Sequence, residues 1–242
     1  MVPRLEISVG CADSLHAALT GGADRIELCS AFELGGLTPG PGLMALARNA
    51  PVPIHVLIRP RAGDFCFSAS EIDAMLADIA AVRAAGLAGV VLGAATPDGS
   101  LDEPVLTRLI AAAKGLEIGL HRVFDCTPDA DAALETAIRL GFRHVLSSGG
   151  ATTALAGADQ LRHLHARASG RITIMAAAGL SAATAPLLLD KVPLAALHAS
   201  CSVAGAAPDP RHLALGFATG PRRITDAAAV RALKRAINAR SA

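Results

Sequence analysis

The stretch AVRAAGLAGVVLG (81–93) decides the fold. A helix-forming, alanine-rich run stops at Gly86, and a short branched apolar run follows at Val90–Leu92. Glycine suits the position just past a helix because it takes φ > 0 without a steric penalty. A continuous apolar run of that length suits a parallel strand covered on both faces. The same order recurs in HAALTGGADRIELCS (16–30) and AIRLGFRHVLSSG (137–149).

Working outward from these copies gives eight strand-then-helix units, the number a closed (β/α)8 TIM barrel needs. Strands are expected at Leu5–Val9, Arg25–Leu28, Ile54–Ile58, Val90–Leu92, Glu117–Leu120, His144–Leu146, Ile172–Met175 and Ala195–His198. Helices are expected near Asp13–Thr20, Gly42–Asn49, Ser70–Ala85, Glu103–Ala113, Ala130–Leu140, Asp159–Ala168, Ser181–Leu189 and Asp226–Asn238, with Asp13, Ser70, Ser181 and Thr225 as N-caps. No linker or charge run divides the chain, so residues 1–242 are expected to form a single α/β domain. Ser202–Pro221, rich in Gly, Ala and Pro, is read as an extended loop near 202–221 after the last strand. An open doubly wound sheet is the rival, and eight evenly spaced units favour closure over it.

The chain is 52 % hydrophobic, so a sizeable core is available, built from Ala, Leu and Val because Trp and Tyr are absent. A net charge of +1 and six Phe as the only aromatics argue against nucleic-acid binding, which needs a basic stripe or a stacking platform. No apolar run reaches the ~18 residues of a membrane span, and MVPRLEIS has no secretory h-region. Five cysteines, widely spaced and in no CxxC pair, fit free thiols in a reducing compartment. A cytoplasmic protein is expected, and such barrels commonly form homo-oligomers.

In these barrels the chemistry sits where strands end. Ionisable residues concentrate there. Glu27 and Cys29 close the second strand. In IHVLIRPRAGDFCFS (54–68) the third strand runs into Arg59, Arg61 and Asp64, within a turn bent by Pro60 and Gly63. Asp98 follows the fourth strand, and His121, Arg122 and Asp125 close the fifth. The run Ser147–Ser148–Gly149–Gly150 follows the sixth, and His198 and Ser200 close the eighth. Guanidinium forks suit carboxylate or phosphate. Backbone N–H groups at 147–150, or at the Gly179 turn of ITIMAAAGL (172–180), could face an anion. Structural readings stand beside these: Glu6 and Glu27 could pair with Arg59 or Arg122, since buried charges are usually paired. His55, at the start of its strand, is read as structural.

Cys11, Cys29, Cys66, Cys126 and Cys201 each follow a predicted strand, which puts all five at one end of a barrel. Thiolates are soft donors that suit Cu(I). Cys29, beside Glu27, is the first candidate and Cys66 the second. Against this, free Cys is often a small buried hydrophobe.

GGADRIELCSAFELGGLTPG (21–40), HVLIRPRAGDFCFS (55–68), HRVFD (121–125) and GFRHVLSSG (141–149) resemble the signature of the copper homeostasis protein CutC family. The resemblance runs colinearly from LEISV (5–9) to LHAS (197–200), and more faintly through TDAAAVRALK (225–234). It implies a (β/α)8 barrel, a cytoplasmic protein and a role in copper handling, with Cys29 and Cys66 as copper ligands. The seventh-strand turn, often glycine-rich in the family, is AAAG here. Cys126 and Cys201 lie outside the family pattern.

Two functional expectations result. The first is a copper-handling protein binding Cu(I) through Cys29 and Cys66, without turnover. The second is an enzyme acting on a small anionic metabolite. Arg59, Arg61, Arg122, Ser148 and Gly149 would hold the substrate, and Glu27, Asp64, His121, Asp125 and His198 would serve as acids and bases. A third, weaker expectation is a scaffold that binds a protein partner. No organic cofactor is indicated.

Overall fold

The computed structural model describes residues 2–239. Eight parallel strands close into a barrel in sequence order: β1 (Arg4–Val9), β2 (Arg25–Leu28), β3 (Ile54–Leu57), β4 (Gly89–Leu92), β5 (Glu117–Leu120), β6 (His144–Ser147), β7 (Thr173–Ala176) and β8 (Ala196–Ala199), with β8 paired to β1. Around them lie α1 (Ala12–Gly21), α2 (Pro41–Ala47), α3 (Ala69–Ala84), α4 (Glu103–Ala112), α5 (Ala130–Arg139), α6 (Ala158–Ala168) and α7 (Thr184–Lys191). The three glycines that punctuate the recurring pattern, Gly22, Gly86 and Gly141, all have positive φ. Among the described residues, no helix is long and apolar enough to cross a membrane.

Helix starts differ from the expected caps. Cys11, not Asp13, accepts from the Ser14 N–H, and Asp226, not Thr225, caps the last helix through Ala229 N. Ser68, not Ser70, starts α3. Its hydroxyl accepts from Glu71 N, and the Glu71 carboxylate accepts from Ser68 N. That reciprocal pair satisfies two otherwise orphaned donors, which Ser70, already the second residue of the helix, cannot do. Ser181 accepts from Thr184 N ahead of α7.

The segment expected as an extended loop carries structure of its own. β9 (Ser202–Ala204) pairs antiparallel with β10 (Arg223–Thr225), and α8 (Pro210–Ala214) lies between them. α9 (Ala227–Asn238) then packs on α1 and α7.

Strand side chains alternate between two environments. Leu5, Ile7 and Val9, Ile26 and Leu28, and Ile54 and Val56 join the main core under the helices. The intervening positions face the lumen. Val91, Leu146, Met175, Ala177 and Ala196 form a small separate apolar cluster there. Apart from Leu57 and the glycines, the rest of the lumen is charged or polar: Glu6, Arg25, Glu27, His55 and His144 are all buried. Branched apolar side chains dominate a typical barrel lumen, so this lumen is unusual.

Candidate functional site

Two adjoining cavities open where the strands end. The larger is about 760 Å³, lined by Ser8, Cys29, Ser200, Ser202, Arg223 and the turn Ala177–Ala183, among others. The smaller, about 320 Å³, is lined by Arg59, Phe65, His121, Asp125 and Cys126. Glu27, His198 and Arg122 line both.

Glu27 and His198 are brought together by strand register and closure. Ser8 pairs with Glu27 between β1 and β2, and Glu6 pairs with His198 between β1 and β8. His198 Nδ1 lies 2.6 Å from Glu6 Oε1, and its Nε2 lies 3.8 Å from Glu27 Oε2. Arg25 Nε donates to Glu6 Oε2 at 2.5 Å. Glu6 therefore pairs with Arg25 and His198, not with Arg59 or Arg122 as the sequence suggested.

The electrostatics divide the two carboxylates. Burial alone would raise the Glu6 carboxyl, but the His198 hydrogen bond and the charges of Arg25 and His198 outweigh it and hold Glu6 ionised. Glu27 has no such bond. Burial pushes it up to about 7, with the His198 charge opposing. Burial would lower His198, yet the charge of Glu27 and the bond to Glu6 hold it above its ordinary value.

The remaining expected site residues are placed differently. Arg59 donates to the carbonyls of Leu34, Gly36 and Gly63 at 2.8, 3.0 and 2.8 Å and lies over the Phe65 ring. Arg61 donates to Glu71, to Asp64 and to Cys66 O, and the Asp64 carboxylate is otherwise exposed. These two guanidinium groups hold their own loop together. His121 is buried in the smaller cavity's wall, with its Nδ1 accepting from Val123 N. Asp98 caps an exposed turn.

The run 147–150 also meets an internal anion. The Asp125 carboxylate accepts from Ser148 N, Gly150 N and the hydroxyls of Ser147 and Ser148. Gly149 N donates to Ser147 Oγ at 2.9 Å. Arg122 donates to Asp125 at 2.7 Å and to Ser148 Oγ at 2.8 Å, and its side chain remains partly exposed at the mouth. The turn after β7 is different. Ala178 and Gly179 have φ of +79° and +70°. Among the described residues, none accepts a hydrogen bond from the backbone N–H of Ala178, Gly179 or Leu180.

The thiol expectation is overturned. Among the described residues, the groups of His, Cys, Asp and Glu close enough to share an ion are Glu6–Glu27–His198 and Glu6–His55–His144, with no cysteine in either. Cys29 donates to Val9 O at 3.6 Å, and burial followed by the Glu27 charge pushes its thiol far up, against thiolate formation. Burial likewise pushes Cys201 up to about 11. Cys66 sits in the Arg61 loop, Cys11 on Ser14, and Cys126 is exposed. The donor set for Cu(I) does not fit: the thiols do not converge, and the candidate ligands are imidazole and carboxylate.

The fold and cavity define a class: closed (β/α)8 barrels with a pocket at the strand C-terminal mouth. Within it, this chain belongs to the CutC family, whose model matches residues 3–203. It is 51% identical over 238 residues to a family protein CutC of Sinorhizobium medicae, covering 98% of this chain and 97% of that one. A family protein CutC of Agrobacterium fabrum is 50% identical over 236 residues, covering 97% and 94%. Among solved structures, the chain is similar to a CutC of Streptococcus agalactiae to which copper homeostasis has been ascribed. That match has a TM-score of 0.79 and 25% identity, covering 83% of this chain and 99% of that one. KGPDC of Streptococcus mutans, at 15% identity and a TM-score of 0.60 over 99% of each chain, shares the fold.

Proposed function

We propose that this chain is an enzyme whose Glu27–His198 pair moves a proton on a small anionic molecule held in the barrel mouth. The observation that carries the reading is Glu27. It stands on the floor of both cavities, burial holds its carboxyl near 7, and its neighbour His198 is fixed from behind by Glu6. A general acid or base works best with a pKa near the operating pH. Glu27 would take or return the proton. His198, with Nδ1 committed to Glu6, would present Nε2 as the partner donor. Arg122 and the backbone N–H groups of Ala178–Leu180 would hold the anion, since successive N–H groups in a left-handed turn form an anion nest.

The test is an NMR screen in D2O of carboxylated and phosphorylated small molecules for exchange of C–H by C–D. Exchange by wild type that falls at least a hundredfold in Glu27→Gln supports the proposal. Equal exchange by Glu27→Gln, or none with any compound, would refute it.

A further inference from the structure

The smaller cavity at the mouth is walled by two buried donors that no group of the fold accepts from. His121 and Arg59 continue the inward-facing positions of their strands: Glu117 and Gly119 precede His121 on β5, and His55 and Leu57 precede Arg59 on β3. Both residues line the cavity. The imidazole fits because Gly93, just past β4, has no side chain; a Cβ there would stand 2.6 Å from His121 Cε1 and 2.8 Å from its Nδ1. Nδ1 accepts from Val123 N at 3.2 Å, so the neutral ring carries its one proton on Nε2. Burial, with the Arg59 charge, keeps the ring neutral at physiological pH. Nε2 is buried and, among the described residues, has no partner. Arg59 commits its two terminal nitrogens to the carbonyls of Leu34, Gly36 and Gly63, and its Nε, also buried, likewise has no partner.

A buried donor left unpaired is costly, and each one in a native fold calls for a specific explanation. Here two of them pack on one ring: Phe65 lies 5.0 Å from the His121 ring and 5.0 Å from Arg59 Cζ. The carboxyl groups on the same wall are Glu27 and Asp125, and Asp125 is already bonded by Arg122 and the 147–150 run. An oxygen that meets the two donors is therefore better neutral than anionic, since a second anion would sit near Asp125. A carbonyl fits this requirement. It is neutral when it binds, and its oxygen gains negative charge only when the carbon beside it loses a proton. Fixed N–H donors contribute most where such charge develops. The carbonyl is also what makes the neighbouring C–H acidic enough for a carboxylate base to act on it.

We propose that the ligand of the mouth is a carbonyl compound whose oxygen accepts from His121 Nε2 and Arg59 Nε while Glu27 takes the proton from the adjacent carbon. The proposal rests on the acid–base reading of Glu27 and adds to it the substrate class and a catalytic residue, His121. The C–H bond breaks, its electron pair moves into a carbon–carbon double bond, and the carbonyl π pair moves onto oxygen, giving an enolate held by the two N–H groups. Glu27 holds the proton and returns it to carbon, so the step needs no oxidant or reductant. His121 donates as a neutral imidazole and keeps its own proton throughout. Phe65, half-buried and packed on both groups, is the side chain that a bound carbonyl displaces to reach them.

The experiment follows C–D exchange in D2O with the full chain and a panel of oxo acids and oxo-sugar phosphates, among them 2-oxoglutarate and dihydroxyacetone phosphate, each paired with its hydroxy counterpart. Exchange is expected only in the oxo member of a pair. His121→Ala should lower kcat at least a hundredfold while raising KM less than tenfold. His121→Gln, which restores an N–H donor, should recover at least tenfold of that loss, with circular dichroism to check that both variants fold. In Glu27→Gln, which should not turn over, the infrared C=O stretch of the bound oxo compound should lie below its value in water, and adding His121→Ala should return it. Exchange that is lost in Glu27→Gln yet equal in wild type and His121→Ala, exchange in a hydroxy member, or a C=O stretch indifferent to His121 would overturn the carbonyl assignment and leave the Glu27 reading standing. Exchange undiminished in Glu27→Gln, or none with any compound, would overturn the Glu27 reading and this proposal with it.

Discussion

Replacing Glu27 by Gln should make the protein more stable, and mostly above about pH 5. In the fold the Glu27 carboxyl is raised from its ordinary 4.5 to about 7 by burial. A raised carboxyl contributes stability that is fully present below its unfolded value and is lost as pH rises through its folded value. Wild type therefore loses stability between about pH 4.5 and 7, where the unfolded chain ionises this group and the fold resists. At about 1.4 kcal/mol per pH unit, a displacement of that size is worth roughly 3 kcal/mol. Gln is isosteric with the protonated acid and does not titrate. At pH 5 the variant should lead wild type by less than about 1 kcal/mol. At pH 8 Glu27→Gln should be more stable by up to about 3 kcal/mol, with a Tm rise of up to about 10 °C for a chain of this size. His198 keeps Glu6 as its partner in the variant, so the pair is not left with an orphaned cation. Urea denaturation at pH 5 and pH 8 reads the difference. Equal stability at pH 8, or a stabilisation of the same size at both pH values, would show that Glu27 is not a strained acid and would remove the basis of the proposed catalytic role.

Other perturbations test the surrounding framework. Burial, with the Arg59 charge, holds His121 down at about 3. The fold thus resists a proton that the unfolded chain takes below about pH 6.5, and stability falls as pH drops. His121→Asn should reduce the loss between pH 6.5 and 5 by about 2 kcal/mol in urea melts, and an unchanged acid limb would count against a neutral buried imidazole. Gly119→Ala places a Cβ 2.2 Å from His144 Nε2 and should cost about 1–3 kcal/mol or more by overpacking; wild-type stability in the same melt would contradict the lumen packing described. Ala178→Gly relieves a backbone at φ +79° and should stabilise by up to about 1 kcal/mol, whereas a loss of stability would mean that the Ala178 side chain packs usefully.

The barrel was legible because helix stops and buried strands leave local marks, such as Gly86 before Val90–Leu92. The lumen was not legible, because closure joins residues that are far apart in sequence. Glu6 meets His198 only because β8 returns to β1. One local sign was available for Arg25. In RIEL (25–28), polar residues alternate with apolar ones on a strand whose outer face is covered by helices, so Arg25 and Glu27 had to point inward. The loop arginines carry a demand that their sequence does not show. A sharp turn such as 59–64 has carbonyls of its own to satisfy, and Arg59 and Arg61 serve Gly63, Ala62 and Asp64 before any ligand. The 147–150 turn is likewise served by Asp125, whose spacing from it in sequence gave no hint of contact.

The charged lumen also bears on why the mouth behaves as it does. From a lower cavity at the N-terminal end of the barrel, lined by Glu117 and Arg25, to the upper one at the mouth the groups run Glu117, Arg25, Glu6, His198 and Glu27, with gaps of 3.1, 2.5, 2.6 and 3.8 Å. A well-packed apolar lumen would serve stability as well or better, because burying ion pairs rarely gains on balance. Acidic and basic groups alternate along the whole row. Arg25 is shared by two carboxylates and Glu6 by Arg25 and His198, whereas Glu27 has only His198, across the widest gap. The row therefore leaves its one undercompensated carboxylate at the upper cavity, where a proton can reach it. Glu6, buried one position along the row and doubly paired, stays ionised and holds the imidazole. Two glutamates on adjacent strands thus take opposite protonation behaviour from pairing alone, and the one left short of partners is the one that faces the upper cavity.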